Sequence, residues 1–244
     1  NETISSNNFI SSSATGGSSY YALYPYGNDN NIMNNYFFNN TGYDLYFAGA
    51  GYSNRIINNT IDVNNLNKTT IYNTACIGCY FENNSIINQG TGTSSWAVYT
   101  NTLTTNMIFV GNNSVDGENL SDVFLFNANN WVVDGVTRGK TNMFNYGQLV
   151  VYNSTNVTIK NSVFKNNTNY AIQLHTVNNI TLLNNTITDK ISSGYGIYLT
   201  NVNDAYLENN TIINNTYAIY FVGTNSNATI FNNTIENAQT YGIR

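Results

Sequence analysis

From Asn184 to Arg244 the chain repeats one phrase three times: NNTITDKISSGYGIYLTNVNDAYLE, NNTIINNTYAIYFVGTNSNATIF and NNTIENAQTYGIR. A fixed period in the low twenties is the signature of a stacked repeat. Within each phrase, short apolar runs such as Gly196 to Leu199 and Ala218 to Phe221 alternate as strands do. Asn pairs and Gly separate them, and these residues tolerate left-handed backbone conformations. No stretch carries the 3.6-residue apolar stripe of a packed helix. Each unit reads as one coil of strand, turn, strand, Asn turn, short strand and turn.

The phrase extends backward through the whole chain. Aligning on the second residue of each turn gives Asn7, Asn35, Asn59, Asn84, Asn113, Gly135, Asn161, Asn185, Asn210 and Asn233. Two residues later stand Phe9, Phe37, Ile61, Ile86, Val115, Thr137, Val163, Ile187, Ile212 and Ile235. Residues two apart on a strand share a face, so this column should point inward and stack from coil to coil. The main strand supplies a second inward column, Leu23, Leu45, Ile71, Val98, Phe124, Leu149, Ile172, Ile197, Ile219 and Ile243. A third runs through Ile32, Ile56, Phe81, Val110, Val133, Ile159, Leu182, Leu207 and Ile230. Three inward columns define a three-faced tube of about ten coils, with strands ~4.8 Å apart. Its Asn residues, Asn161 included, should form a side-chain ladder, as stacked Asn does in cross-β assemblies. The expected fold class is all-β, a parallel β-helix with three strands per coil. Residues 1–244 are expected to form one solenoid domain without caps, because a solenoid is a continuous body.

Charged residues make up only 9% of the chain and the net charge is −5. With eight Lys and Arg scattered along the sequence, no basic stripe exists for a nucleic-acid partner. No apolar run is long enough to span a membrane, and no metal or cofactor motif is present. Cys76 and Cys79 are the only cysteines. Without further Cys or a nearby His they read as a local disulfide pinning a turn, or as two packed thiols. Sequons are dense, among them Asn39, Asn67, Asn119, Asn156, Asn166, Asn214 and Asn227. They arise partly because NNT and NNS recur at the turns, and they point to an extracellular, glycan-bearing chain.

On these repeats the chain resembles the right-handed parallel β-helix repeat family, the architecture of pectate lyases. Its Asn-rich wording, low charge and dense sequons most resemble the adhesin-like and cell-envelope β-helix proteins of methanogenic archaea. The resemblance to β-helix lyases and glycosidases implies clustered carboxylates, or an Arg or Lys base, on one outward face. Two columns face outward on this alignment. One, Tyr24, Tyr46, Tyr72, Tyr99, Leu125, Val150, Gln173, Tyr198, Tyr220 and Arg244, carries no carboxylate pair. The other, from Ala22 through Asp44, Thr70, Ala97, Val123, Gln148, Ala171, Gly196 and Ala218 to Gly242, carries Asp44 alone. The irregular coil VVDGVTRGKTNMF could place Arg138 or Lys140 beside Asp116, Glu118 or Asp122, or could be a solvated loop in which Asp134 pairs with Lys160. His175, the only histidine, reads as an outward surface residue.

The tyrosine column, Tyr24, Tyr46, Tyr72, Tyr99, Tyr198 and Tyr220, has two readings. It could stabilise the sheet as an aromatic ladder, or it could bind sugar rings or another subunit. The expectation drawn from the sequence is a structural cell-surface protein, a sheath, surface-layer or fibre subunit. It would self-associate through open coil ends and tyrosine faces, and it would have no catalytic residue and no enzymatic activity. The alternative is an adhesin or carbohydrate-binding module with glycans as partners; a polysaccharide lyase or hydrolase ranks below both.

Overall fold

The structure, a computed structural model, describes residues 2–11, 20–47, 51–64, 69–74, 76–88, 96–100, 104–110, 113–117, 121–138, 147–189 and 194–244. For Asp116, Ser121, Asp122, Phe124, Thr137 and Arg138, among others, it describes the backbone only. Every described element is a strand or a turn, and every strand pairing is parallel. The chain winds as a right-handed parallel β-helix. A ten-stranded sheet of short strands runs from Asn8–Ile10 to Thr234–Glu236, one strand per coil. The other two strands of each coil merge into an 18-stranded sheet. In three consecutive coils they fuse into single 14-residue strands, Gly147–Lys160, Tyr170–Leu183 and Tyr195–Glu208. Left-handed residues such as Asn153 and Asn156, Thr176 and Asn179, and Asn201 and Asp204 fall within these strands. Asn and Asp occupy that conformation at lower cost than other non-glycine residues.

The ladder is present and its construction is specific. In the described Asn pairs the first residue has positive φ, as at Asn34, Asn58, Asn83, Asn184, Asn209 and Asn232, all between 52° and 55°. The second is buried, or half-buried at Asn233, and where its counterpart in the preceding coil is also Asn, its Oδ1 accepts both the main-chain N–H and the side-chain N–H of that counterpart. Asn35 donates to Asn59 at 3.0 and 3.1 Å, Asn59 to Asn84 at 3.0 and 3.1 Å, and Asn84 to Asn113 at 2.9 and 3.1 Å. A further side-chain N–H bond reaches a main-chain carbonyl, as from Asn59 to Ile32 at 2.8 Å and from Asn210 to Leu182 at 2.9 Å. Buried amides are thereby matched with partners at each rung, as a dry interior demands.

Two rungs differ from the alignment read off the sequence. Asn161 is not in the ladder. It is exposed, has φ 50°, and donates to Asp134 Oδ1 at 2.8 Å. Ser162 takes the buried position: its Oγ accepts from Val136 N at 3.2 Å, and its own N–H donates to Asn185 Oδ1 at 3.1 Å. Gly135, with φ 74°, is likewise the left-handed residue and Val136 the buried one. With a single Asn at the turn, anchoring on that Asn shifted the register by one. The short-strand positions move with it: Arg138 and Phe164, not Thr137 and Val163, stand in register with Val115 and Ile187.

The same one-residue slip occurs in the fifth coil. Val123, not Phe124, continues the main inward column, between Val98 and Leu149. Phe109, not Val110, continues the third, between Phe81 and Val133. Buried Ile, Leu, Val and Phe fill the tube, including Ile32, Phe37, Leu45, Ile71, Phe81, Phe164, Ile187 and Ile219.

Candidate functional site

The main strand turns a corner midway. At Tyr195–Gly196–Ile197–Tyr198 the two inner residues are buried and the two tyrosines are partly exposed. Strict alternation would send Gly196 outward. The column expected to be exposed, Asp44, Thr70, Ala97, Gln148, Ala171, Gly196 and Ala218, is therefore buried. Small residues are required at the corner: a Cβ on Gly196 would lie 2.6 Å from the Ala218 carbonyl oxygen and 2.7 Å from Ile212 Cγ2. Asp44, with no exposed surface, accepts from Asn40 Nδ2 at 2.8 Å and is a structural residue of the tube wall.

That corner creates a second tyrosine column which alternation cannot reveal. Tyr21 and Tyr43 are in register, and so are Tyr170, Tyr195, Tyr217 and Tyr241. They run beside Tyr46, Tyr72, Tyr99, Tyr198 and Tyr220. The legible signal is the spacing Y-x-x-Y at Tyr43, Tyr170 with Gln173 in place of the second Tyr, Tyr195 and Tyr217. Tyr24 joins the strip through its ring, 5.7 Å from that of Tyr46. Two aromatic patches result, one on the first four coils with Trp96 beside Tyr99 at 4.5 Å, the other on the last coils.

Within a column the rings stack on each other, Tyr195 on Tyr217 at 4.7 Å and 10°, Tyr72 on Tyr99 at 5.3 Å and 28°. Stacking of this type stabilises neighbouring strands, and it also uses ring faces. In the second patch the two columns meet at steep angles: Tyr195 lies at 77° to Tyr198, and Tyr217 at 69° to Tyr220. Burial, followed by the neighbouring tyrosines, pushes the phenols of Tyr43, Tyr170 and Tyr195 above their ordinary pKa, so they stay neutral. Arg244 sits over the rings of Tyr220 and Tyr241, 5.4 and 5.0 Å from their centroids.

Between the patches the same register holds the buried Val150 and the partly exposed Gln173, and beside them runs the column Phe126, Tyr152, His175 and Thr200. His175 stacks on Tyr152 at 4.5 Å and 10°, with Nδ1 3.0 Å from Thr176 Oγ1. It therefore shares the tyrosine face. Imidazole is the side chain best able to give or take a proton near neutral pH. Lys140 and Glu118 lie outside the described residues, as do the side chains of Asp116, Asp122 and Arg138. Asp134 and Lys160 form an ion pair at 3.2 Å on a different face. Among the described residues no three His, Cys, Asp or Glu side chains gather as metal ligands.

Cys76 and Cys79 form a disulfide with a Cα separation of 5.9 Å, both fully buried. Asn54, which receives the N–H of Asn30 at 2.9 Å, donates to Cys76 Sγ at 3.7 Å, so a second, short Asn ladder ends on the disulfide. Of the sequons, Asn67 and Asn119 lie outside the described residues. Asn39, Asn156, Asn166, Asn214 and Asn227 all have positive φ, between 52° and 59°. The side-chain amides of Asn156, Asn214 and Asn227 donate to Asn130, Asp189 and Asp204 at 2.9, 3.2 and 2.9 Å. These sequons mark outer, solvent-facing ladders at the bends, which explains their frequency without reference to glycan.

Comparison with known proteins agrees with the winding. The family model of the right-handed β-helix region matches residues 122–244, just over half of the chain, and the chain belongs to that family. No curated protein matches it by sequence. Among solved structures it is similar to the A-module of the Azotobacter vinelandii mannuronan C-5 epimerase AlgE6, with a TM-score of 0.65 at 16% identity over 88% of this chain and 65% of that one. It is also similar to the catalytic unit of a GH87 α-1,3-glucanase from Streptomyces thermodiastaticus, with a TM-score of 0.59 at 11% identity over 89% of this chain and 49% of that unit. A third is PfbA, a surface adhesin of Streptococcus pneumoniae, with a TM-score of 0.53 at 13% identity over 88% and 64%. The chain thus spans between about half and two thirds of these proteins. At such identities the likeness is one of fold.

One expectation is overturned. The expectation of no enzymatic activity rests on the absence of a carboxylate pair from the columns assigned outward. The epimerase module and the glucanase unit are enzymes built on this winding. One of the two columns searched is buried, and the other was offset by a residue at Leu125, which is fully buried while Phe124 holds the outward register. The exclusion of catalysis does not stand. Among the described residues no helix is long and apolar enough to cross a membrane.

Proposed function

We propose that this chain is the β-helical module of a secreted or surface protein that binds an extended polysaccharide lengthwise along its tyrosine face. The observation that carries the reading is the pair of adjacent tyrosine columns on one face, Tyr43 beside Tyr46 in the first patch, and Tyr195 beside Tyr198 and Tyr217 beside Tyr220 in the second. A polymer with a regular repeat suits a surface with a regular repeat, and tyrosine combines apolar area with a hydrogen-bonding tip. That two of the similar folds act on polysaccharide and a third is a surface adhesin supports both the ligand class and the location. The buried disulfide fits an oxidising compartment. Among the described residues, His175, stacked on Tyr152 between the two patches, is the candidate for proton transfer to the bound chain.

Affinity electrophoresis in gels containing dissolved polysaccharides tests the reading. Retardation by at least one polymer, lost on replacing Tyr46 and Tyr72 by Ala with the circular dichroism unchanged, is the expected result. Mobility unaffected by any polymer overturns it. Release of reducing ends, or a change of sugar configuration seen by NMR, that disappears in His175→Gln while retardation persists would assign proton transfer to that residue. If the same face serves instead for lateral contact between copies, as in a sheath or surface layer, the tyrosine substitutions will change the oligomeric state in light scattering and leave gel mobility indifferent to polysaccharide.

A further inference from the structure

The tyrosine face differs in charge from the rest of the molecule. Up to its last coil, the described positions of its two columns, among them Tyr43, Tyr46, Tyr72, Tyr99, Gln173 and Tyr198, hold no Asp, Glu, Lys or Arg; Arg244 follows Tyr220 at the end of one column, and His175 lies in the column beside it. The described cations lie elsewhere or are engaged. Lys160 faces Asp134 at 3.2 Å, and Arg55 covers Tyr80 at 5.5 Å on the strand that follows the next turn. Lys165 belongs to the short-strand sheet. Among the described cations, Arg244 reaches the tyrosine face, at its last coil, and lies over Tyr220 and Tyr241. The chain as a whole carries a net charge of −5.

We infer that the ligand is a neutral, hydroxyl-rich polysaccharide rather than a polyuronate such as alginate or pectate. This rests on the reading of the tyrosine face as a polysaccharide surface. A polyanion is held by arrays of Arg and Lys that pair with its carboxylates, and its approach to a negative protein is opposed at long range. The described face has no such array. It offers a comb of phenol hydroxyls, each a donor and an acceptor, spaced coil by coil at ring separations such as 4.7 Å from Tyr195 to Tyr217 and 5.6 Å from Tyr46 to Tyr72. Because the rings of a column stack on one another, edges and hydroxyl tips are what the column turns outward. Edges and hydroxyls match sugar hydroxyls and C–H groups, and they require no counter-charge. The corner that places two tyrosines three residues apart doubles the width of the comb at Tyr43 with Tyr46, Tyr195 with Tyr198 and Tyr217 with Tyr220, so these rungs can engage both sides of an extended chain.

The test compares neutral and acidic polymers on the same protein. Affinity electrophoresis is run in gels containing a β-glucan, a galactomannan, alginate or polygalacturonate, at low and at high salt. The expected result is retardation by a neutral polymer, unchanged by salt, with no retardation by either polyuronate. Tyr198→Phe with Tyr220→Phe keeps the rings and removes the hydroxyls. That pair should weaken retardation roughly tenfold, while Lys165→Gln, in the short-strand sheet away from this face, should leave it as it is. Stronger retardation by alginate or polygalacturonate, abolished by salt and by Arg244→Gln, overturns the inference and leaves the polysaccharide reading standing. Retardation by none of the four polymers overturns both. Full retention of affinity in the double Phe variant overturns the role given to the hydroxyls.

Discussion

Asn185 and Asn210 are joined twice: the main-chain N–H and the side-chain amide of Asn185 both donate to Asn210 Oδ1, at 3.0 and 2.9 Å. One carbonyl oxygen thereby satisfies two buried donors of the coil before it. Asn185 Oδ1 in turn accepts the N–H of Ser162 at 3.1 Å.

Asn185→Ala should therefore cost about 1–3 kcal/mol, because the buried Ser162 N–H loses its acceptor. Asn161→Gly should be close to neutral, since Asn161 is exposed and glycine adopts its φ of 50° without strain. Urea unfolding of both variants distinguishes the two turn positions. Equal losses would show that the ladder assignment is mistaken.

Gly196→Val should destabilise by about 1–3 kcal/mol, the usual cost of forcing extra methyls into a packed site. The added Cβ would press on the Ala218 carbonyl and on Ile212. Thermal unfolding measures this, and the same substitution should disturb the adjacent Tyr195 and Tyr198 in near-ultraviolet circular dichroism.

Reduction of the Cys76–Cys79 disulfide, which spans a sequence separation of 3, should lower stability by about 2 kcal/mol, the entropic value for so short a loop. Thiol titration of the native oxidised protein should find no free thiol, and after reduction in denaturant it should find both.

The raised phenol pKa of Tyr43, Tyr170 and Tyr195 sets a sign for alkaline pH. The folded state holds these protons more tightly than the unfolded chain does. Their contribution to stability is thus fully present below about pH 10, tyrosine's ordinary value, and is lost as pH rises past it. Ultraviolet titration should show a late-ionising group of tyrosines in the native protein that titrates normally in urea. Unfolding midpoints should hold steady up to about pH 10 and fall above it.

Asp134→Asn should change stability by no more than about 1 kcal/mol, because the ion pair with Lys160 is partly exposed at 26% and 34%. Unfolding in high salt, which screens the pair, should erase the difference between the variant and the parent.

Much of the winding could be read from the linear chain. Period, inward aliphatic columns and Asn turns are local features, and a residue that recurs once per coil must stack on its counterparts. The reading failed where two local signals were merged. In NN pairs the left-handed residue and the buried ladder residue are both Asn, so their roles can be separated only where the pair is broken, at Gly135–Val136 and at Asn161–Ser162. Anchoring on the surviving Asn then displaced Val163 against Phe164.

The sequence on its own determined that this chain stacks in parallel coils, since no other arrangement buries so regular a set of Ile, Val, Leu and Asn. Only the tertiary structure decided which tyrosines share a face. Period-two alternation assumes a straight strand, whereas the main strand bends at Gly196 and its equivalents, burying two consecutive residues and bringing Tyr195 and Tyr198 to the same side. The bend depends on the close approach of the neighbouring coil at Ala218. That contact joins residues distant in the chain, and it is what makes a double tyrosine face out of a single repeated motif.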